Sequence, residues 1–546
     1  MIIVAGPGSG KTFTLIERVK YWCERGSDPK GFTMITFTRA GAAVMKDRLA
    51  EAGISVGFVG TLHSYCIAML KALGRSHGIQ NTWAMISEED RNQLLLSIAR
   101  ENKCKDSLKK ILKWKAARGL PGSDETGMSV ALHSTIEEYN RRSKQEAFVD
   151  YDQILVLGLR LFSVLKKPLG DVLMVDEFQD TSAMDAAIYH QLERLFQSHI
   201  YVGDPDQSIF GFRGAVVGNI LECWNDASFE RFTLETNRRC CVAVCSLAND
   251  LISHNEIRID KDTVPDKDSI DGVVGCDQYP DHMAELRVVV EGVRGSIEAG
   301  RSVAILCRYN VQVAQFRAAI TGVGFKVVSL EPKIPVTDAS WSHALTALSA
   351  LSCPSSDRAI RSLLVATGWS EDDIQVAARD AVATFSSLND VSLQLNTPDD
   401  RNLLWSEMSR LKVDSAVLSR IIEISDGLPK GWTIEELRAA IDEESKEPES
   451  EDPDDGVPEV TVATIHGAKG REWDVVRLPA FEQHLFPGAK EGEALEEERR
   501  LAFVAITRAR KLVVITHCQS RPDNYVPGKV VNAVSSDFIG EMGVDC

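Results

Sequence analysis

No apolar run in this chain approaches the ~18 residues that a membrane-crossing helix needs. The opening Met1–Ala5 is too short, and too poor in basic flanks, to read as a secretory leader. The expectation is a protein with no membrane partner. The twelve cysteines are scattered rather than regularly spaced, which excludes a disulfide-stapled scaffold and reads as a reduced, cytoplasmic chain. Cys240, Cys241 and Cys245 lack a second Cys/His pair at a structural zinc spacing, and the eleven histidines include no His-Glu-x-x-His pair. No internal repeat of fixed short period is present. A basic excess is missing too. The formal net charge is −18, which taken alone argues against nucleic acid. Half of it, however, lies in residues 442–459, where ten acidic residues and one lysine give a net of −9. Outside that segment the chain is only mildly acidic, so the total says little about any one groove.

What is present is ample material for buried cores. Of 546 residues, 44% are apolar and 26% charged. At ~150 residues per domain this length suggests three to four domains. Apolar strands are expected at 2–5, 32–37, 171–175 and 200–202, alternating with helical patterns. A second alternating region starts near Phe232 and includes strands at 302–307, 459–464, 475–478 and 512–516. Strands alternating with helices indicate parallel sheets with helical crossovers. Two stretches, about 78–147 and 332–437, read as helical and strand-poor, and the acidic stretch after the second reads as a solvated linker.

Two sites carry chemistry on their residues alone. Ala5-Gly6-Pro7-Gly8-Ser9-Gly10-Lys11-Thr12 joins a strand to a helix. Glycines such as Gly8 and Gly10, with Ser9 between them, let backbone N–H groups approach a phosphate closely. Lys11 would reach the β and γ phosphates of ATP and Thr12 would ligate Mg²⁺. At the second site the strand Val172-Leu173-Met174-Val175 ends in Asp176-Glu177-Phe178-Gln179-Asp180. Asp176 would hold the metal, and Glu177 would orient or deprotonate the attacking water.

Together these motifs resemble those of superfamily 1 helicases, specifically the UvrD/Rep/PcrA-like family. Further motifs follow in order: Thr36-Phe37-Thr38-Arg39-Ala40, Gly60-Thr61-Leu62-His63-Ser64 and Phe148-Val149-Asp150-Tyr151-Asp152. The coupling motif is Gly203-Asp204-Pro205-Asp206-Gln207-Ser208-Ile209-Phe210-Gly211-Phe212-Arg213-Gly214-Ala215. The fifth motif spans Val462 to Trp473 and the sixth Glu497 to Ala509. The resemblance implies an α/β chain of two RecA-like P-loop domains, each interrupted by a mostly helical insertion. Its boundaries are expected at 1–78 with 148–230 for the first domain and 79–147 for its insertion. The second domain is expected at 231–330 with 459–546, and its insertion at 331–458.

The resemblance also implies roles. Gln207 would sense the γ-phosphate. Arg508, and second Arg239, would face the charge that develops on hydrolysis, from the domain opposite the phosphate loop. Glu472 would contact the nucleotide sugar. Arg238 stands where the family usually has an aromatic that stacks on adenine, and a guanidinium can stack there as well. On the DNA side, Phe37, Phe210 and Phe212 are candidate stacking platforms. Arg39, Thr61, His63, Arg213 and His466 are candidate polar or backbone contacts. The family's adenine-reading glutamine lies upstream of the phosphate loop, and only four residues precede Ala5 here. Weak discrimination between ATP and other nucleoside triphosphates is therefore expected. The implied activity is an ATP-driven 3′-to-5′ motor on single-stranded DNA that unwinds duplexes. Its implied partners are single-stranded DNA, single-strand/double-strand junctions, and replication or repair proteins, with a monomer in isolation. The alternative is a translocase that remodels protein–DNA complexes with little unwinding of its own.

Overall fold

The computed structural model describes residues 1–79, 83–86, 88–120, 127–330, 339–352, 404–405, 408, 413–426, 434, 437–438, 441, 459–483, 485–489, 491–522 and 530–544. Two six-stranded sheets, parallel at every pairing, organise it. The first contains β1 (Ile2–Ala5), β2 (Phe32–Ile35), β3 (Phe58–Gly60), β4 (Gly170–Val175), β5 (Phe196–Gly203) and β6 (Arg231–Leu234), in the spatial order β3-β2-β4-β5-β1-β6. The central strands read as unbroken apolar runs because helices cover both faces of a parallel sheet. All four residues of β1 and all four of β2 are buried accordingly. One face packs Ile3, Leu15, Val19, Met34 and Met174, and the other packs Leu62, Phe162, Leu173 and Tyr201.

Between β3 and β4 the chain makes a helical insertion with helices Glu88–Glu101, Leu108–Ala117 and Val130–Gln145. It has its own small core of Leu95, Ile98, Ile111, Leu132 and Tyr139. The second sheet contains β7 (Val273–Tyr279), β8 (Val303–Cys307), β9 (Lys326–Ser329), β10 (Glu459–Thr464), β11 (Trp473–Leu478) and β12 (Ala509–Cys518). Its order is β7-β12-β11-β8-β10-β9. Helices α1 (Val242–Ile252) and α2 (Gly492–Ile506) pack against this sheet through Val244, Leu251, Phe503 and Ile506. Most of 331–458, the expected second insertion, lies outside the described residues; its described parts include helices Ala339–Ser352 and Ser415–Asp426.

Two expectations are corrected. The boundary at 230/231 is misplaced, because β6 adds to the outer edge of the first sheet, with Ile2 opposite Arg231 and Val4 opposite Thr233. An edge strand needs only one hydrogen-bonded neighbour, and β6 is largely exposed, so it carries no apolar signature. The fully reduced chain is corrected at Cys276, on edge strand β7, which is disulfide-bonded. Among the described residues nine other cysteines are free thiols.

Candidate nucleotide and nucleic-acid site

Parallel strands present their carboxyl ends on one edge, so the loops that follow them converge there. Three motifs meet in this way at the first sheet. The phosphate loop follows β1, the acidic pair follows β4 and the coupling motif follows β5. Gly8 and Gly10 adopt φ of 65° and 89°, in the left-handed region that glycine enters without cost. A Cβ on Gly8 would also lie 2.7 Å from Asn237 Oδ1 and 2.8 Å from Arg239 Cβ. The Arg238 amide donates to Gly8 O at 3.1 Å, so the loop lies directly against the second-lobe segment that carries both arginines. Ser9 is buried and its hydroxyl donates to Gly6 O. Lys11 Nζ donates to Ala5 O at 3.1 Å.

The Thr12 hydroxyl donates to Asp176 Oδ2 at 2.8 Å, which brings the two candidate metal ligands together. Burial, and then the charge of Glu177, push the Asp176 carboxyl up to about 7. Glu177 goes the other way. Burial opposes its ionisation, but the Lys11 and Lys469 ammonium groups hold it below the usual carboxylate range. Of the two, Glu177 is thus the one that carries its charge firmly at neutral pH. Its backbone sits at φ 55°, ψ 41°, a conformation that costs a non-glycine residue ~1–2 kcal/mol and tends to persist where function requires it. Gln179 Nε2 donates to Glu177 Oε2 at 2.7 Å and fixes the carboxylate.

Gln207 is buried, and its Nε2 donates to Asp204 Oδ2 at 2.6 Å. Arg239 pairs with Glu472, which also takes Arg510. Arg508 is 2% exposed. It donates to Val504 O at 3.0 Å, Arg471 O at 3.3 Å and Thr507 Oγ1 at 3.3 Å. Arg238 is exposed, 3.5 Å from Asp266. Cys240, beside these arginines, is buried with its thiol 3.6 Å from Thr507 O.

On the other side of the coupling motif the aromatic candidates form one cluster. Phe37 stacks on Phe210 with centroids 5.4 Å apart and planes 22° apart. Phe212 meets Phe210 edge-on at 6.0 Å and His466 edge-on at 5.2 Å. Arg213 lies 5.2 Å from the Phe210 ring and 5.5 Å from the Phe212 ring. Phe212 is 66% exposed and Phe210 only 8%. Phe210 is therefore the buried support of the cluster rather than an open platform, because Phe37 covers one side of it and Lys469 approaches to 4.8 Å. Thr61 is also committed: its hydroxyl caps the helix Leu62–Leu73 by accepting from the Ser64 amide. Arg39 opens the helix Arg39–Glu51, and His63 packs edge-on against Tyr151 at 5.5 Å.

Residues 1–228 match the UvrD/REP helicase N-terminal domain, and residues 407–520 match the UvrD-like helicase C-terminal domain. The chain belongs to the UvrD/Rep/PcrA-like helicase family. It is 26% identical over 613 residues to a DNA helicase II of Rickettsia typhi, covering 99% of this chain and 93% of that protein. It is 26% identical over 628 residues to the ATP-dependent DNA helicase PcrA of Bacillus subtilis, covering 100% of this chain and 84% of that one.

In this UvrD-like chain the second lobe clasps the coupling motif with groups that the motif reading left without a role. Lys469 donates to Asp180 and, at 2.9 Å, to Gln207 O. Arg500 donates to Ser208 O at 3.1 Å, and the Gly211 amide donates to Glu497 Oε1 at 2.9 Å. All three, Lys469, Arg500 and Glu497, lie inside quoted motifs. Their pairing left no signal, since Lys469 and Asp180 are 289 residues apart. Burial pushes the Asp180 carboxyl up to about 6 although Lys469 opposes this.

His466 gives a pH prediction. Burial, then the charges of Arg308, Arg213 and Lys469, lower its imidazole to about 4. A depressed histidine pKa means that the unfolded chain takes up the proton first. Stability is therefore lost as pH falls from about 6.5 towards 4, by ~2–3 kcal/mol in all. His466→Gln is expected to reduce the drop in melting temperature between pH 7.5 and pH 5. An unchanged drop would contradict this.

Proposed function

We propose that the chain is an ATP-dependent DNA helicase that moves 3′ to 5′ on single-stranded DNA and opens duplexes at junctions, in repair, replication or recombination. The observation that carries this reading is the coupling motif. Only the four residues 208–211 separate buried Gln207, hydrogen-bonded beside the acidic pair, from exposed Phe212 on the aromatic face. Lys469, Arg500 and Glu497 of the second lobe hold the run between them. A change in lobe separation would act on both ends at once.

In this reading Lys11 holds the phosphates, Glu177 orients or deprotonates the attacking water, and Gln207 senses the γ-phosphate. Arg239 and Arg508 face the developing charge from the second lobe. Glu472 meets the sugar and Arg238 the base. A hydroxyl and a carboxylate at Thr12 and Asp176 suit a hard, oxygen-preferring cation, and Mg²⁺ there would supply charge neutralisation. Phe212 takes a base by stacking, supported by Phe210, Phe37, His466 and Arg213.

The test is ATP hydrolysis with and without single-stranded DNA, beside Lys11→Ala. Strong stimulation that Lys11→Ala loses is expected. Hydrolysis indifferent to DNA would overturn the reading. Unwinding of 3′-tailed against 5′-tailed duplexes then tests polarity. One observation favours the translocase reading: 546 residues are spread over 628 aligned positions of the Bacillus relative, so segments of that helicase have no counterpart here. Stimulated hydrolysis without unwinding of either duplex would support it.

A further inference from the structure

A buried lysine of the second lobe reaches the carboxylate that holds Gln207. Lys261 lies on the segment between α1 and the short strand Val264–Pro265, and its ammonium is 2.8 Å from Asp204 Oδ1. It also pairs with Asp206, which takes Arg258 at 3.1 Å. Asp204 and Asp206 are at most 1% exposed, and Lys261 is 7% exposed. In such surroundings each carboxylate depends on its cation, because an uncompensated buried charge is costly.

Asp204 divides its oxygens. Oδ1 takes Lys261, and Oδ2 takes Gln207 Nε2 at 2.6 Å. The Asp204 amide donates to Gln179 Oε1 at 2.9 Å, and Gln179 in turn donates to Glu177. An unbroken line of buried polar contacts thus runs from Lys261 to both Gln207 and Glu177.

The lysine's own segment is anchored to second-lobe helices, while its Arg258 and Ile257 also touch the first lobe. Asn249 of α1 accepts from the Thr263 amide at 2.8 Å and donates to Thr263 O at 3.2 Å. Glu496 of α2 accepts from the amides of Glu256 and Ile257, each at 3.1 Å. Arg499 of α2 donates to Asn255 at 2.6 Å. Lys261 therefore sits on a segment held by α1 and α2 of the second lobe, while its own carboxylate partners belong to the first.

We infer that Lys261 is a positioning residue for hydrolysis, holding Asp204 and through it Gln207, so that second-lobe position is transmitted to the γ-phosphate sensor. The inference rests on the helicase reading above. Its test is a double-mutant cycle of Lys261→Met with Gln207→Ala, read as kcat and KM for ATP at saturating single-stranded DNA. Lys261→Met alone is expected to lower kcat tenfold or more with KM within threefold. Lys261→Arg, which keeps the charge, should recover to within threefold of the parent. In the Gln207→Ala background Lys261→Met should cost less than twofold, because the group it positions is gone.

A Lys261→Met kcat within twofold of the parent, or a loss that repeats in full on Gln207→Ala, would overturn the inference. If Lys261→Met fails to fold, the pair Asp206→Asn/Lys261→Met removes one charge of each sign, and the same two outcomes are read on it. A parent chain without DNA-stimulated hydrolysis overturns the helicase reading instead, and the cycle is then judged on the basal rate.

Discussion

Glu177→Gln should reduce the hydrolysis rate by ~10³-fold, within the ~10²–10⁴-fold span of a positioned general base, while nucleotide still binds. Three features separate Glu177 from its neighbour. The Lys11 and Lys469 charges hold it ionised, Gln179 fixes its Oε2 at 2.7 Å, and its left-handed backbone turns it away from the path of β4. Asp176 is instead tied to the Thr12 hydroxyl and is raised to about 7 by burial and by Glu177. Glutamine keeps the shape of Glu177 and removes only its charge and basicity. Single-turnover hydrolysis beside a fluorescent-nucleotide titration separates the two effects. A Glu177→Gln rate within tenfold of the parent would deny it the base role. Binding lost together with rate would mean that the carboxylate serves the ground state instead. Asp176→Asn is the useful contrast, because losing the proposed metal ligand should weaken Mg²⁺-dependent binding as well as turnover.

The phosphate loop and the acidic pair were legible because their chemistry is local. A glycine with positive φ, a lysine at a helix start and a strand that ends in two carboxylates are each written in adjacent residues. The coupling motif was legible as a string, but the burial of Phe210 was not. Which of two phenylalanines two residues apart faces outward depends on Phe37 and Lys469, which arrive from elsewhere in the chain. Strand β6 was missed for a related reason. Arg231-Phe232-Thr233-Leu234 has one covered edge and little burial, and its partner β1 is at the other end of the first lobe's sequence. The buried cations were the least legible. Lys261 and Lys469 resemble any surface lysine until the fold places carboxylates 2.8 Å away or closer. Thr61 shows a further feature that the string does not reveal: its hydroxyl also starts a helix.

Arg508→Met is the second large effect, and two magnitudes decide its form. Arg508 is buried, and among the described residues no carboxylate lies within ion-pair distance of it. Burial, and then the neighbouring Arg239, pull its guanidinium down to about 9 from 12.5. A lowered cation pKa means that the folded chain holds the proton less tightly than the unfolded one. Because a guanidinium stays protonated in a protein, the cost of holding it without a counter-charge is present throughout the working pH range. At ~1.4 kcal/mol per unit it amounts to a few kcal/mol. Removing the charge relieves that cost but gives up three hydrogen bonds from a cation, each ~1.5–3 kcal/mol. The terms are of similar size, so the melting temperature should move by only a few degrees. Catalysis has no such offset. A cation facing a transferring phosphoryl group contributes ~10³–10⁵-fold, so hydrolysis should fall at least 10³-fold. The rise in melting temperature on adding ATP and Mg²⁺ should shrink as well, because the parent chain gains an anion for its unpaired cation and the variant does not. Arg239→Met should differ, since Arg239 already has Glu472 as a partner and its loss leaves that carboxylate with Arg510. A collapse in melting temperature with the rate preserved would make Arg508 a structural residue, and the cation that faces the phosphate would then be Arg239.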